Sequence, residues 1–167
     1  MILVSYCKLG LNCTYKSSSN EHLSDSIFLK ELFKCGLVIG VCPEIFGGLS
    51  TPRDPSEIKG GNGFDVIEGR AKLYSDKGIE VTKNFIDGAI MSVGIAEKYG
   101  VKAAVLTECS PSCGVKYVYD GTFTKTKIEG PGVLGAMLIK RFGPSFPLFS
   151  EADKSAGSFL LNFFDKR

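Results

Sequence analysis

Leu37-Val38-Ile39-Gly40-Val41 runs straight into Cys42-Pro43-Glu44. A short continuous apolar run that ends at a proline reads as a strand buried on both faces, the kind found inside a parallel sheet covered by helices. Working outward, the pattern recurs at Ile2–Ser5 and at Val101–Leu106, with a shorter run at Phe146–Phe149. Helical segments separate these runs. Ser24 offers an N-cap to a helix whose apolar positions Ile27, Phe28, Leu29, Leu32 and Phe33 stop at Gly36. Thr82 caps a second helix, with Phe85, Ile86, Ala89, Ile90, Val93 and Ala96 on one face and Gly100 at its end. Pro131 opens a third helix that runs to about Arg141, and Ser150 caps an amphipathic last one. The alternation predicts an α/β fold, a Rossmann-like three-layer sandwich with a mostly parallel sheet. Residues 42–63, rich in glycine and proline, read as a long functional loop. Asp65–Tyr74 is open between a strand and an irregular excursion, and Tyr117–Phe123 reads as an edge hairpin around Asp120-Gly121.

A chain of 167 residues is expected to form one domain over 1–167, closing with a C-terminal helix over 151–165. The net charge of +2, with no block of lysine and arginine, argues against nucleic acid as the partner. No window approaches the roughly 18 apolar residues of a membrane span. The N-terminus lacks the basic region and cleavage site of a secretory signal. The expectation is therefore a cytoplasmic protein with neither membrane nor nucleic acid as partner. Oligomeric state is not legible.

The six cysteines carry the chemistry. In a reducing compartment, clustered thiols serve more often as ligands or catalysts than as disulfides. Cys7 follows the first strand, Cys42 the second, and Cys109 and Cys113 the third. Open α/β sheets bind ligands beyond the carboxyl ends of their strands, so three segments deliver thiols to one edge. Cys35, near a helix end, reads instead as a small buried hydrophobe. Three thiolates neither close a tetrahedral zinc site nor supply every iron of a four-iron cluster, which leaves a coordination position for substrate. Thiolates also select soft metals and iron–sulfur clusters. Glu44, beside Cys42, is a candidate to take a proton from an attacking water. Arg53 fits either an anion site or a loop ion pair, and His22 reads as a solvated loop residue. Arginine is absent six residues after Cys7, Cys109 and Cys113, where Cys13, Val115 and Tyr119 stand, so no phosphatase loop is present. Gly47-Gly48 and Gly60-Gly61 match neither a dinucleotide fingerprint nor a phosphate-binding loop.

Taken in order, the motifs are Val4-Ser5-Tyr6-Cys7-Lys8-Leu9-Gly10, Asn12-Cys13-Thr14-Tyr15, Cys42-Pro43-Glu44, Gly47-Gly48-Leu49-Ser50-Thr51-Pro52-Arg53, Ser110-Pro111-Ser112-Cys113-Gly114 and Tyr119-Asp120-Gly121-Thr122-Phe123. This ordered set, spanning about residues 2–151, resembles the thiouracil desulfurase family. The resemblance implies a 4Fe-4S cluster with three protein ligands, which carry over by motif to Cys7, Cys42 and Cys113. It implies non-redox desulfuration of a thiolated base, such as 2-thiouracil to uracil, with sulfide captured on the cluster. In that scheme Glu44 assists water attack or substrate protonation, and Ser110 or Ser112 positions the substrate. Thr14 and Thr107 stand where the family pattern often has basic residues, and Tyr6 where it has a small one. Cys13 and Cys109 are extra thiols near the site, open as additional ligands, sulfur carriers or bystanders, of which the bystander reading is preferred. Three other readings remain: a zinc- or thiol-dependent hydrolase or sulfurtransferase, a non-catalytic cluster-binding protein, and a plain Rossmann-like domain with unliganded thiols.

Overall fold

In the computed structural model, which describes residues 1–19, 23–151 and 153–165, the described chain contains eight strands and six α-helices. The order is β1 (Ile2–Ser5), α1 (Leu23–Lys34), β2 (Val38–Val41), α2 (Pro43–Phe46), β3 (Ser56–Lys59), α3 (Gly63–Ile67) and β4 (Lys72–Ser75). There follow α4 (Thr82–Lys98), β5 (Ala103–Leu106), β6 (Tyr117–Tyr119), β7 (Lys127–Glu129), α5 (Val133–Phe142), β8 (Leu148–Ser150) and α6 (Lys154–Asp165). The central sheet runs β2-β1-β5-β8, and every pairing in it is parallel. The four apolar runs are its four strands.

Period-2 alternation sends each strand's side chains to opposite faces. Leu3, Val41, Ala104 and Leu106 join a core with Phe85 and Ala89 of α4 and Leu134 and Leu138 of α5. Ile2, Val4, Val38, Ala103 and Val105 pack on the other face with Leu29 and Leu32 of α1 and Leu160 of α6. The three layers follow from this division. Each fully buried large side chain contributes about 1.5–3 kcal/mol, so the two cores hold the sheet's edge in place without help from a ligand. Gly40 is the exception in the apolar run of β2. A Cβ there would come within 2.2 Å of the Tyr6 ring, so the glycine makes room for the residue beside Cys7.

The structure corrects several local readings. Residues 42–63 are no bare loop. Pro43 occupies the first turn of α2, which at four residues is too short to show a period, and β3 has a single apolar residue, Ile58. Asp65–Tyr74 splits into the end of α3 and β4. Asn62 caps α3 by accepting from the Phe64 N–H while Asp65 accepts from the Asn62 N–H. β4 then pairs antiparallel with β3. Thr82 is the first residue of α4, and its hydroxyl accepts from the Leu73 N–H rather than capping the helix. Ser150 ends β8, where its N–H donates to Asp153. Cys35 lies past the end of α1 and is exposed, not buried, where the chain turns at Gly36. The hairpin around Asp120-Gly121 is present as β6 and β7. The side chain of Ser24 and all of His22 lie outside the described residues.

The approach of α2 to α4 sets the position of Cys42, Pro43 and Glu44. An added Cβ on Gly88 would stand 1.7 Å from the Pro43 carbonyl oxygen, and one on Gly47 would stand 1.9 Å from that of Asn84. Only glycine permits this backbone contact, and the Asn84 amide closes it by donating to the Gly47 carbonyl at 2.8 Å.

Candidate active site

β1, β2 and β5 end side by side, and the segments after them converge. A single 3-10 turn, Tyr6–Leu9, carries Cys7, and Gly10, at φ 89°, turns the chain so that Cys13 comes back to the same edge. Cys7, Cys13 and Cys42 pack directly against one another with Tyr6 beside them, and all three are buried. Cys113 is equally buried but sits within the main core, beside Ser5 and Ser112. Four thiols therefore share the edge, and Cys13 is one of the three that touch each other. Cys109 is half-buried and does not belong to this thiol group. Among the described residues, no three His, Cys, Asp or Glu side chains are gathered to hold a single metal ion.

The thiols are not electrostatically alike. The Cys13 thiol lies within hydrogen-bonding reach of both Cys42 and Cys7, and these contacts, with burial, push its own pKa well up. Contact with Cys13, aided by the Thr107 hydroxyl and the Lys8 charge, brings Cys7 down to about 7 despite burial. Thr107 Oγ1 stands 2.9 Å from Cys7 Sγ. Cys42 is lowered in the same way by Cys13, with help from the Ile45 backbone N–H. Burial raises Cys113, although Ser5 and Ser112 hydrogen-bond to it.

Beside the thiols runs a hydrogen-bonded chain. Ser112 donates to Glu44 Oε1 at 2.8 Å, and Ser110 Oγ lies 2.9 Å from Ser112 Oγ. With the Ser112 proton turned to Glu44, Ser110 is left as the donor to Ser112. Ser110 Oγ also accepts from the backbone N–H groups of Ser112 and Cys113. Ser112 is 1% exposed and Ser110 is half-buried, so Ser110 is the more accessible of the two hydroxyls. The other carboxylate oxygen, Glu44 Oε2, is taken by Arg53 through Nε at 2.7 Å and Nη2 at 2.6 Å. The same guanidinium donates to the carbonyls of Ser50 and Cys13 and to the Thr51 hydroxyl. Of the two readings of Arg53, the ion pair is the one present.

A second carboxylate organises the loop that carries Cys113. Glu108 Oε1 accepts from the N–H groups of Cys109, Val115, Lys116 and Tyr117. Burial works against its charge, but those four donors hold its carboxyl below the usual range. Its own N–H donates to Glu151, which pairs with the buried Lys8 at 2.9 Å. Glu108 was missed in the sequence. The available signal was an acid two residues after a buried strand, at the start of a loop rich in turn residues. For Cys13 the signal was the glycine between it and Cys7.

The 2-thiouracil desulfurase family model matches residues 2–151 of this chain. YbbK of Bacillus subtilis (strain 168), an uncharacterised protein, is 41% identical over 138 residues, which is 83% of this chain and 89% of its own. The solved structure of TudS, a 4Fe-4S-dependent thiouracil desulfidase, matches with a TM-score of 0.81 at 33% identity, over 97% of each chain.

Proposed function

Because the chain belongs to the 2-thiouracil desulfurase family, we propose that it replaces the sulfur of a thiolated nucleobase such as 2-thiouracil by oxygen, using a 4Fe-4S cluster held by Cys7, Cys42 and Cys113. The observation that carries this reading is the Ser110–Ser112–Glu44 chain set against buried thiols at the carboxyl edge of a parallel sheet. The donor set suits the group: soft sulfur ligands are buried, and the Thr107 hydroxyl, the Ile45 N–H and the Ser5 hydroxyl reach Cys7, Cys42 and Cys113 in turn.

The overall change is hydrolytic. The oxygen of a water forms a bond to the thiocarbonyl carbon, the carbon–sulfur bond breaks, and hydrogen sulfide is the second product, with no electron gained or lost. When bound, the cluster supplies a soft Lewis acid for the thiocarbonyl sulfur. The chain's own residues do the rest. Arg53 occupies Glu44 Oε2, so Oε1 is the oxygen left to accept a proton from water. Ser110, the more accessible hydroxyl, meets the base, and Ser112 passes a proton between Ser110 and Glu44 Oε1. This assigns different tasks to the two serines: Ser110 positions substrate and Ser112 relays.

The test is uracil formation from 2-thiouracil by protein purified without air. Glu44→Gln is expected to lower kcat by about 10²–10⁴, the usual worth of a general base, with iron content unchanged. Wild-type activity in that variant would remove Glu44 from the chemistry, and a wild-type protein inert on 2-thiouracil would refute the substrate class.

A further inference from the structure

Cys13 is the one thiol of the group that the proposed ligand set leaves without a task, yet it packs directly on two of the three proposed ligands. It is 4% exposed, and its backbone is fixed on both sides. Its N–H donates to the Leu11 carbonyl at 2.8 Å, and its own carbonyl accepts from Arg53 Nη2 at 3.0 Å. Cys42 Sγ also lies 4.0 Å from that carbonyl. The thiol itself is buried against Cys7 and Cys42, so a group held by those two would meet it. A soft thiolate is the donor such a group binds best.

We infer that Cys13 is a fourth, displaceable ligand, which caps the otherwise open iron of the resting cluster and gives way to the substrate's sulfur. The inference rests on the cluster reading above and deepens it. As a ligand Cys13 would bind as its thiolate, with its proton passed to solvent and no electron gained or lost. Displaced by the substrate's sulfur, the thiolate would take that proton back from solvent. Arg53 links the two halves of the site, because one guanidinium holds both the Cys13 carbonyl and Glu44 Oε2. The cap thus sits one hydrogen bond away from the group that holds the proton-accepting carboxylate.

Protein purified without air is treated with one equivalent of ferricyanide, then assayed for iron per chain and for the electron paramagnetic resonance of a three-iron cluster. An iron with no protein ligand is shed readily under these conditions, and a capped one is retained. Wild type is expected to keep its full iron, while Cys13→Ala loses about one iron in four and gains the three-iron signal. Loss of one iron from wild type as fast as from Cys13→Ala overturns the inference. If Cys13→Ala holds no cluster, wild type decides alone: rapid loss of one iron overturns the cap, and retention supports it. Wild-type protein without iron or sulfide would instead overturn the cluster reading itself, so the two failures are distinct.

Discussion

Replacing Glu108 by alanine tests whether one carboxylate holds the loop that carries Ser110, Ser112 and Cys113. The change removes the shared acceptor of four backbone N–H groups, those of Cys109, Val115, Lys116 and Tyr117, at 3.0–3.2 Å. A hydrogen bond to a charged group is worth roughly 1.5–3 kcal/mol when well buried. Four donors crowd one oxygen here and the side chain is only partly covered, so the bonds do not sum at full value. A loss of about 2–4 kcal/mol is expected, or roughly 4–16 °C in Tm for a chain of this size. Glu108→Gln keeps an acceptor oxygen without the charge and is expected to lose about half as much. The pH dependence has a definite sign. The folded carboxyl is held below its ordinary value, so its stabilisation is fully present above the unfolded value near 4.3 and disappears as pH falls through the lower folded value. The deficit of Glu108→Ala should therefore shrink with acidification in that window. Urea unfolding of the cluster-free protein at pH 7 and at pH 3.5 measures it, with amide exchange at Val115 and Tyr117 as the local readout. A change under about 0.5 kcal/mol, or a deficit that does not depend on pH, would refute the role given to Glu108.

The ion pair and the helix contact are tested in the same way. Arg53→Ala leaves a largely buried Glu44 without its partner and is expected to cost about 3–5 kcal/mol, seen as a lower urea midpoint. Arg53→Lys keeps the charge but not the fork, and should fall between the two. An Arg53→Ala protein as stable as wild type would contradict this. Gly88→Ala forces apart α2 and α4 where backbone meets backbone, with an expected cost of about 1–3 kcal/mol. It should also lower kcat although Gly88 touches no proposed reactant, because Glu44 rides on α2. Unchanged stability and rate would show that α2 is not held there.

The sheet and its covering helices were legible because continuous apolar runs and helical periods of ten or more residues carry strong signals. The short elements were not. α2, α3 and β3 are four or five residues long, and their formation depends on partners elsewhere: Gly88 for α2, the Pro131 carbonyl that receives the Gly63 N–H for α3, and β4 for β3. Position after a strand was enough to draw attention to Cys7, Cys42, Cys113 and Glu44. It did not tell Ser110 from Ser112, since only the fold brings Ser112 against a carboxylate 68 residues away. Nor did it separate Cys13, which joins the thiol group, from Cys109, which does not, because Cys13 returns to the edge through a turn rather than at a strand's end. Cys35 failed for the opposite reason. Its residue type favours burial, but its place in the turn just past α1 decides against it.

The most direct test of the account is iron and acid-labile sulfide per chain, with the visible spectrum, in protein purified without air. Near four of each is expected in wild type, with both lost in Cys113→Ala while far-ultraviolet circular dichroism stays folded, since the two apolar cores do not depend on the cluster. Wild type with neither iron nor sulfide after anaerobic reconstitution, or a Cys113→Ala protein that keeps its full cluster, would contradict it.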